Sequence, residues 1–396
     1  MNAKTSIYLD AHATTPVDPE VLSAMLPYFT EYYANGNHRA GWKTDEAIEN
    51  SRFQVANLIG ARPSEVTFTA GATEAINMAL IGLAKANNSG RNHIITQRTE
   101  HKAVLQCIGA LEKQGYNVTM LEVDQVGRID LQELKNTVTN KTLVVAIMLA
   151  NNEIGTVQPI EAIGDVCKNK SAKFFCDLTQ GIGWYPLDLK KMNIDMAALA
   201  AHKFYGPRGV GALYVKKKNP QITIEPILFG GGQENGFRPG TSNVPGIVGL
   251  GKACELLQIN GKEIYVKIRE MRDRLQKQLF SSIEGVKLNG CPDNRHPGNL
   301  NMAIPSISGE QLKELLPNVM FSTSSACSST SPKPSHVISA LGVNNAVIES
   351  SFRLGIHKYN NNEEIDFVSE KIIQLVSKVQ IEKNNPIPAT KGRAFS

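Results

Sequence analysis

The run Leu143-Val144-Val145-Ala146-Ile147-Met148-Leu149 is apolar from end to end. A strand with one wet face alternates apolar and polar residues. A strand apolar along its length is covered on both faces, as in a parallel sheet packed between helices. Working outward, short extended patterns recur at 66–69, 93–96 and 118–121 on one side and at 172–176, 195–199 and 211–215 on the other. Between them lie segments with helical spacing, at 45–59, 73–86, 102–114, 130–138 and 161–169. Strands alternating with helices predict an α/β architecture with a mostly parallel sheet. In such sheets ligands sit at the carboxyl ends of the strands, so chemistry is sought there.

After Gly249 the pattern changes to a long amphipathic helix at about 245–283, then a smaller mixed region ending in a helix at 363–380. The predicted division is a large domain over 16–255 and a small one from 1–15 and 256–383. The tail 384–396, with Pro386, Pro388 and Gly392, is predicted to hang free. The chain has 396 residues, 42% of them hydrophobic and 20% charged, which excludes disordered, collagenous and disulfide-scaffold classes. Its net charge of +5 is spread out, and Lys216-Lys217-Lys218 is too short a block to argue for nucleic acid. Six cysteines, at 107, 167, 176, 254, 291 and 327, form no C-x-x-C pair and have no His at zinc spacing, so no metal site is expected. Free thiols, no signal-like leader and no apolar run of membrane length predict a soluble protein of the cytoplasm.

Four constellations fall at expected strand ends. Gly71-Ala72-Thr73-Glu74 joins a strand to a helix; it is either a phosphate cradle at the helix N-terminus or an ordinary capped start. Asp177, with Gln180 three residues on, follows 174–176 and is either a partner for a cationic nitrogen or an N-cap. Lys203, in Ala201-His202-Lys203-Phe204, is a nucleophilic amine if burial lowers its pKa and a snorkelling surface lysine if not. Cys327 stands within the hydroxyl-rich Ser322-Thr323-Ser324-Ser325-Ala326-Cys327-Ser328-Ser329-Thr330-Ser331, predicted to be a mobile loop. It is either a thiol on a tether or an incidental residue in a linker.

Taken together with Ala13-Thr14-Thr15-Pro16, Thr99-Glu100-His101-Lys102, Asn151-Asn152-Glu153-Ile154-Gly155, Arg238-Pro239-Gly240-Thr241 and Arg353, these motifs resemble the cysteine desulfurases of the class V aminotransferase group, closest to the type serving iron–sulfur cluster assembly. The resemblance covers nearly the whole chain. It implies pyridoxal 5'-phosphate (PLP) as cofactor and PLP fold type I, with a mostly parallel seven-stranded sheet, a smaller α+β domain and a cysteine loop at 322–335. It implies Lys203 as the Schiff-base residue, Asp177 on the pyridine nitrogen, Gln180 on the phenolic oxygen and His101 stacked on the ring as acid/base. Ala72, Thr73 and His202 match phosphate-binding positions, and Thr241 matches one supplied across a homodimer interface. Asn152 matches a position near cofactor and substrate, and Arg353 one that grips the substrate carboxylate.

The implied reaction converts L-cysteine to L-alanine. Lys203 removes the Cα proton, and the Cys327 thiolate, activated by His101, takes the sulfur as a persulfide. An iron–sulfur scaffold or sulfur-carrier protein then receives it, for cluster assembly or tRNA thiolation. The chain departs from the family pattern at Ala200, where a Ser or Thr hydroxyl is usual, in the short loop 34–38, and at Ala11-His12. Alternatives on the same fold are a selenocysteine lyase, another class V aminotransferase, or a degenerate partner-binding subunit.

Overall fold

A computed structural model describes residues 6–34, 38–217, 222–324 and 334–384. Its centre is a seven-stranded sheet of β1 (Val66–Thr69), β2 (His93–Gln97), β3 (Asn117–Leu121), β4 (Thr142–Ala146), β5 (Lys173–Asp177), β6 (Met196–Ala200) and β7 (Gly211–Val215). The spatial order is β1-β7-β6-β5-β4-β2-β3, and every pairing is parallel except the two made by β7. Only residues 201–210 separate β6 from β7, too few for a crossover helix, so β7 must return antiparallel.

The apolar run that opened the reading is buried throughout. Val144 and Ala146 pack on one side of the sheet with Ile76, Leu80 and Leu83 of α2 (Ala72–Lys85). Val145 and Ile147 pack on the other with Ile160 and Ile163 of α5 (Ile160–Asn169) and with Leu250 and Ala253 of α6 (Val244–Ser282). Successive side chains point to opposite faces, so a strand buried on both must be apolar at every position. The ladder assigned to β4 ends at Ala146, earlier than the run suggests. The chain nevertheless stays beside β5, with Ile147 N–H donating to Phe175 O at 3.1 Å and Leu149 N–H to Asp177 O at 3.0 Å. The remaining large-sheet helices are α1 (Trp42–Leu58), α3 (Lys102–Glu112) and α4 (Leu131–Thr137).

The 39-residue α6 packs along α1 and reaches α7 (Asn362–Asn384). Beside it an antiparallel sheet holds β8 (Lys287–Leu288), β9 (Asn299–Ala303), β10 (Ser322–Thr323) and β11 (Ser351–Gly355), in the order β10-β11-β9-β8. Two expectations are corrected here. Ser322 and Thr323, expected in the mobile loop, are an edge strand paired with Arg353 and Phe352. Asn384, expected in the free tail, is the last residue of α7. At the loop's other end Ser335 caps a short helix, its Oγ accepting from Val337 N and Ile338 N. The rest of the loop, including Cys327, and the tail beyond 384 lie outside the described residues. The N-terminal strand Ile7–Tyr8 pairs parallel with Val319–Met320, tying the start of the chain to this region. Among the described residues no helix is long and apolar enough to cross a membrane.

Candidate active site

A cavity of about 770 Å³ opens at the carboxyl tips of β4, β5 and β6. Ala72, Thr73, His101, Asn152, Asp177, Gln180, His202 and Lys203 all line it. The expected site residues thus converge, and the reason is local: each stands within a few residues of a strand tip or on the first turn of the following helix.

At the end of β6 the chain makes a three-residue 3-10 turn, Ala201–Lys203. The N-terminal segment clamps this turn. Thr15 N–H donates to His202 O at 2.8 Å, and Tyr205 N–H donates to Thr15 Oγ1 at 2.7 Å. Tyr205 itself has φ of 69°, a conformation unfavourable for a bulky residue and held by these bonds. Lys203 is half-buried, and its Nζ donates to the carbonyl oxygens of His12 at 2.5 Å and Ala13 at 2.8 Å. Burial, then the charge of Arg353, pulls its pKa down to about 8, against the opposing carboxylates of Asp177 and Asp10. A pKa lowered by burial is the condition that the nucleophilic-amine reading sets.

Asp177 is buried, and its Oδ1 accepts from Thr179 N at 2.9 Å. No helix follows β5, so this bond closes a turn and Asp177 is not the expected N-cap; the residue lines the cavity, where the charge-partner reading requires it. His101 is the N-cap of α3: its Nδ1 accepts from Ala103 N at 3.1 Å, so the neutral ring carries its proton on Nε2. The surrounding protein draws its pKa below the ordinary histidine value, while Asp177 works the other way. Burial, with Lys203 and Arg208 adding to it, lowers His202 to about 4, and its Nδ1 lies 3.2 Å from Thr14 Oγ1.

The N-terminus of α2 begins at Gly71, which has φ of 153° and no side-chain cap. A Cβ on Gly71 would meet nothing within 4 Å, and Gly71, Ala72 and Thr73 line the cavity at this uncapped start. Behind it, a Cβ on Gly211 would stand 2.8 Å from Gly71 Cα and 2.4 Å from Leu199 O, so only glycine lets β7 pass this close. Uncapped N–H groups at the positive end of a 14-residue helix suit a phosphate. The amine, the acid and this cradle around one cavity are the donor set that a phosphorylated pyridine aldehyde requires, so the residues present fit PLP.

The aminotransferase class-V family profile matches residues 7–368. The chain belongs to this family. Within the family, the chain is 44% identical over 380 residues to the cysteine desulfurase IscS of Anaeromyxobacter dehalogenans (strain 2CP-C), covering 95% of this chain and 94% of that one. It is 42% identical over 377 residues to the cysteine desulfurase of Homo sapiens, covering 94% of this chain and 82% of that one. Among solved structures, a NifS-like protein superimposes with a TM-score of 0.88 at 36% identity, covering 94% of this chain and all (100%) of the other. SspA in complex with cysteine superimposes with a TM-score of 0.78 at 35% identity, covering 90% and 100%. A mostly parallel class-V sheet with PLP fold type I architecture is thus the fold of this chain.

Two expected residues stand apart from the cavity. Arg353 lies mid-strand in β11 and lines a neighbouring cavity of about 1140 Å³, with Asn152 common to both. Its Nη2 donates to Asp10 Oδ1 at 2.6 Å and to Ser322 Oγ at 2.8 Å, and its Nη1 to Asn152 O at 2.7 Å. Thr241 is exposed and does not line the first cavity; its neighbours Gly240 and Ser242 line a small cleft beside it. The sequence reading missed Asp10, Thr14 and Arg208. Thr14 and Arg208 line the site, with Arg208 Nε donating to Thr14 Oγ1 at 3.4 Å beside Ala200, which contributes only a methyl group. The visible signals were the hydroxyls of Thr14-Thr15 before Pro16 and a cation directly after Gly206-Pro207.

Proposed function

We propose that this protein is a PLP-dependent cysteine desulfurase, converting L-cysteine to L-alanine and passing the sulfur to an acceptor. The observation that carries the reading is the Lys203 amine. It stands at the tip of β6 with its pKa drawn down to about 8, on one cavity with Asp177, His101 and the uncapped start of α2. The 42–44% identity to cysteine desulfurases supports the choice of reaction within the family.

When bound, PLP supplies an aldehyde that condenses with amines and a ring that accepts a pair of electrons. Lys203 Nζ, half-neutral near pH 8, is both the condensing amine and, once free, the base for the substrate's Cα proton. Asp177 would hold a proton on the pyridine nitrogen, and Gln180 would donate to the phenolic oxygen. His101 exchanges protons through Nε2, because Nδ1 is committed to Ala103. Ala72 and Thr73 N–H groups and His202 would hold the phosphate, with Thr241 of a second subunit completing the site in a homodimer. Exposed Phe29, Tyr33, Trp42 and Phe53 support such an assembly.

Asn152 and Arg353 take the substrate. Arg353 Nε is buried without a partner, so an incoming carboxylate gains that donor while displacing Asp10 from Nη2. Cys327 would take the sulfur as a persulfide, its thiolate forming the S–S bond as the substrate Cβ–Sγ bond breaks and the carbon skeleton keeps that electron pair, and would hand it to a scaffold or carrier protein in the cytoplasm. The large domain over 16–255 carries the cofactor in this reading, and the small one carries Arg353 and the loop.

Mass spectrometry after brief exposure to cysteine tests it: a sulfur-mass adduct on residue 327, alanine released, and a visible band bleached by borohydride are expected. Wild-type sulfide release from Cys327→Ala, or a protein that takes up no PLP, overturns it.

A further inference from the structure

Residue 12 bridges Lys203 and Gln180. Its carbonyl oxygen accepts from Lys203 Nζ at 2.5 Å and from Gln180 Nε2 at 3.1 Å. Its imidazole Nδ1 lies 2.9 Å from Gln180 Oε1. The two contacts to Gln180 fix its amide. Turned over, Oε1 would face the His12 carbonyl oxygen, two acceptors with no proton between them, so Nε2 belongs on the carbonyl and Oε1 on the ring. Nδ1 must then be the protonated nitrogen. One N–H of the amide is spent on the His12 carbonyl, and the second is the only donor Gln180 has left. Gln180 lines the cavity.

The imidazole is in turn held rigidly. It is buried, and it packs edge-on against His296 with ring centroids 4.5 Å apart. His296 packs against Trp184 at 5.0 Å, and Trp184 Nε1 donates to Gln180 O at 2.7 Å. The chain of contacts closes on itself: Gln180 is held by its amide from His12 and by its backbone from Trp184, and both rings rest on His296. His296 Nδ1 accepts from Gly298 N at 3.0 Å, which fixes that ring as well. Burial, followed by the charges of Arg353 and Lys203, lowers the His12 pKa to about 3, so the ring stays neutral and Nδ1–H remains a donor to Oε1.

We propose that the His12 side chain is a positioning residue, locking the Gln180 amide so that its one uncommitted N–H is delivered to the phenolic oxygen of bound PLP. This deepens the functional reading above and rests on it. A donor on that oxygen makes it a poorer proton acceptor, so the visible band of lysine-bound PLP changes form at lower pH than it otherwise would. A merely structural His12 has no reason to move that midpoint.

The test is a spectrophotometric pH titration of the borohydride-bleachable band in full-length protein loaded with PLP. His12→Ala is expected to raise the midpoint by about one unit, the size of effect a hydrogen bond to a charged oxygen carries. Gln180→Ala should do the same, and the double variant should go no further. His12→Asn, whose Nδ2–H stands where the imidazole Nδ1–H stands, should restore the wild-type midpoint and guards against misfolding of the alanine variant. A His12→Ala midpoint equal to wild type, a His12→Asn midpoint that stays raised, or a double variant that shifts twice as far overturns the proposal while leaving the PLP reading intact. Wild-type protein with no bleachable band overturns both.

Discussion

Lys203 and Arg353 are both cations on the walls of neighbouring cavities, but they are held in opposite ways. Lys203 sits on a turn at a strand tip and touches two carbonyl oxygens, dipoles with no net charge. Arg353 lies in the middle of β11 and is paired with the carboxylate of Asp10. A carbonyl accepts from an ammonium without anchoring its charge, so burial can still lower the Lys203 pKa. An ion pair would have raised it. Under the proposed function the difference separates two tasks in neighbouring cavities: an amine that must lose its proton is kept among dipoles, and a cation that must stay charged is kept beside an anion.

The largest expected effect comes from removing the amine. Lys203→Ala should abolish both turnover and the bleachable band, and Lys203→Arg should do the same, because a guanidinium keeps the charge and cannot give up its proton. A band surviving in Lys203→Arg would show that charge alone suffices and break the comparison. Next comes Arg353→Gln, which should raise KM for cysteine by about 10–100-fold with the band intact, the range for losing charge-assisted hydrogen bonds to a carboxylate. A fall confined to kcat would remove Arg353 from substrate binding.

A smaller effect sharpens the coupling between the two cations. Modification of Lys203 in PLP-free protein by an amine-selective reagent should follow the neutral amine, rising with pH through a midpoint near 8. Arg353 is the largest charge lowering that value, so Arg353→Gln should move the midpoint up. An unmoved midpoint would mean that burial alone sets it.

The smallest effect on turnover is expected beneath the site, at Glu100. Its Oε1 accepts from Met148 N at 2.6 Å and from Gln97 Nε2 at 2.8 Å, and its Oε2 is buried without a partner. Burial, with Asp177 adding to it, raises its pKa to about 8. The folded state therefore keeps a proton that the unfolded chain releases above the ordinary carboxyl range. Stability from this group is full below that range and is lost as pH rises through about 8. Glu100→Gln should flatten the fall in stability over that window, by on the order of 5 kcal/mol in urea titrations, with little change in activity near neutral pH. A slope identical to wild type would place the ionised form in the fold.

The strand tips were legible because their signals are local. Apolar runs, glycines at turns and an acid or amine one residue past a strand all follow from neighbours in the chain, and Asp177, Lys203 and the Gly71 cradle are found where those signals fall. The antiparallel β7 was legible only in the shortness of the 201–210 link. Ser322 and Thr323 were misread as loop because hydroxyl-rich composition masks an edge strand whose only support is its partner β11.

The sequence by itself determined the layered α/β sheet and placed Lys203 and Asp177 at its strand tips, since periodicity and turn chemistry act over a handful of residues; their expected roles came from the family resemblance. Tertiary structure alone decided that Asp10 answers Arg353 across 343 residues and that His12 orients Gln180 across 168. Those pairings depend on how the first residues of the chain thread between the two sheets. No local pattern carries that information, because each partner is an ordinary polar residue until the other is brought within reach.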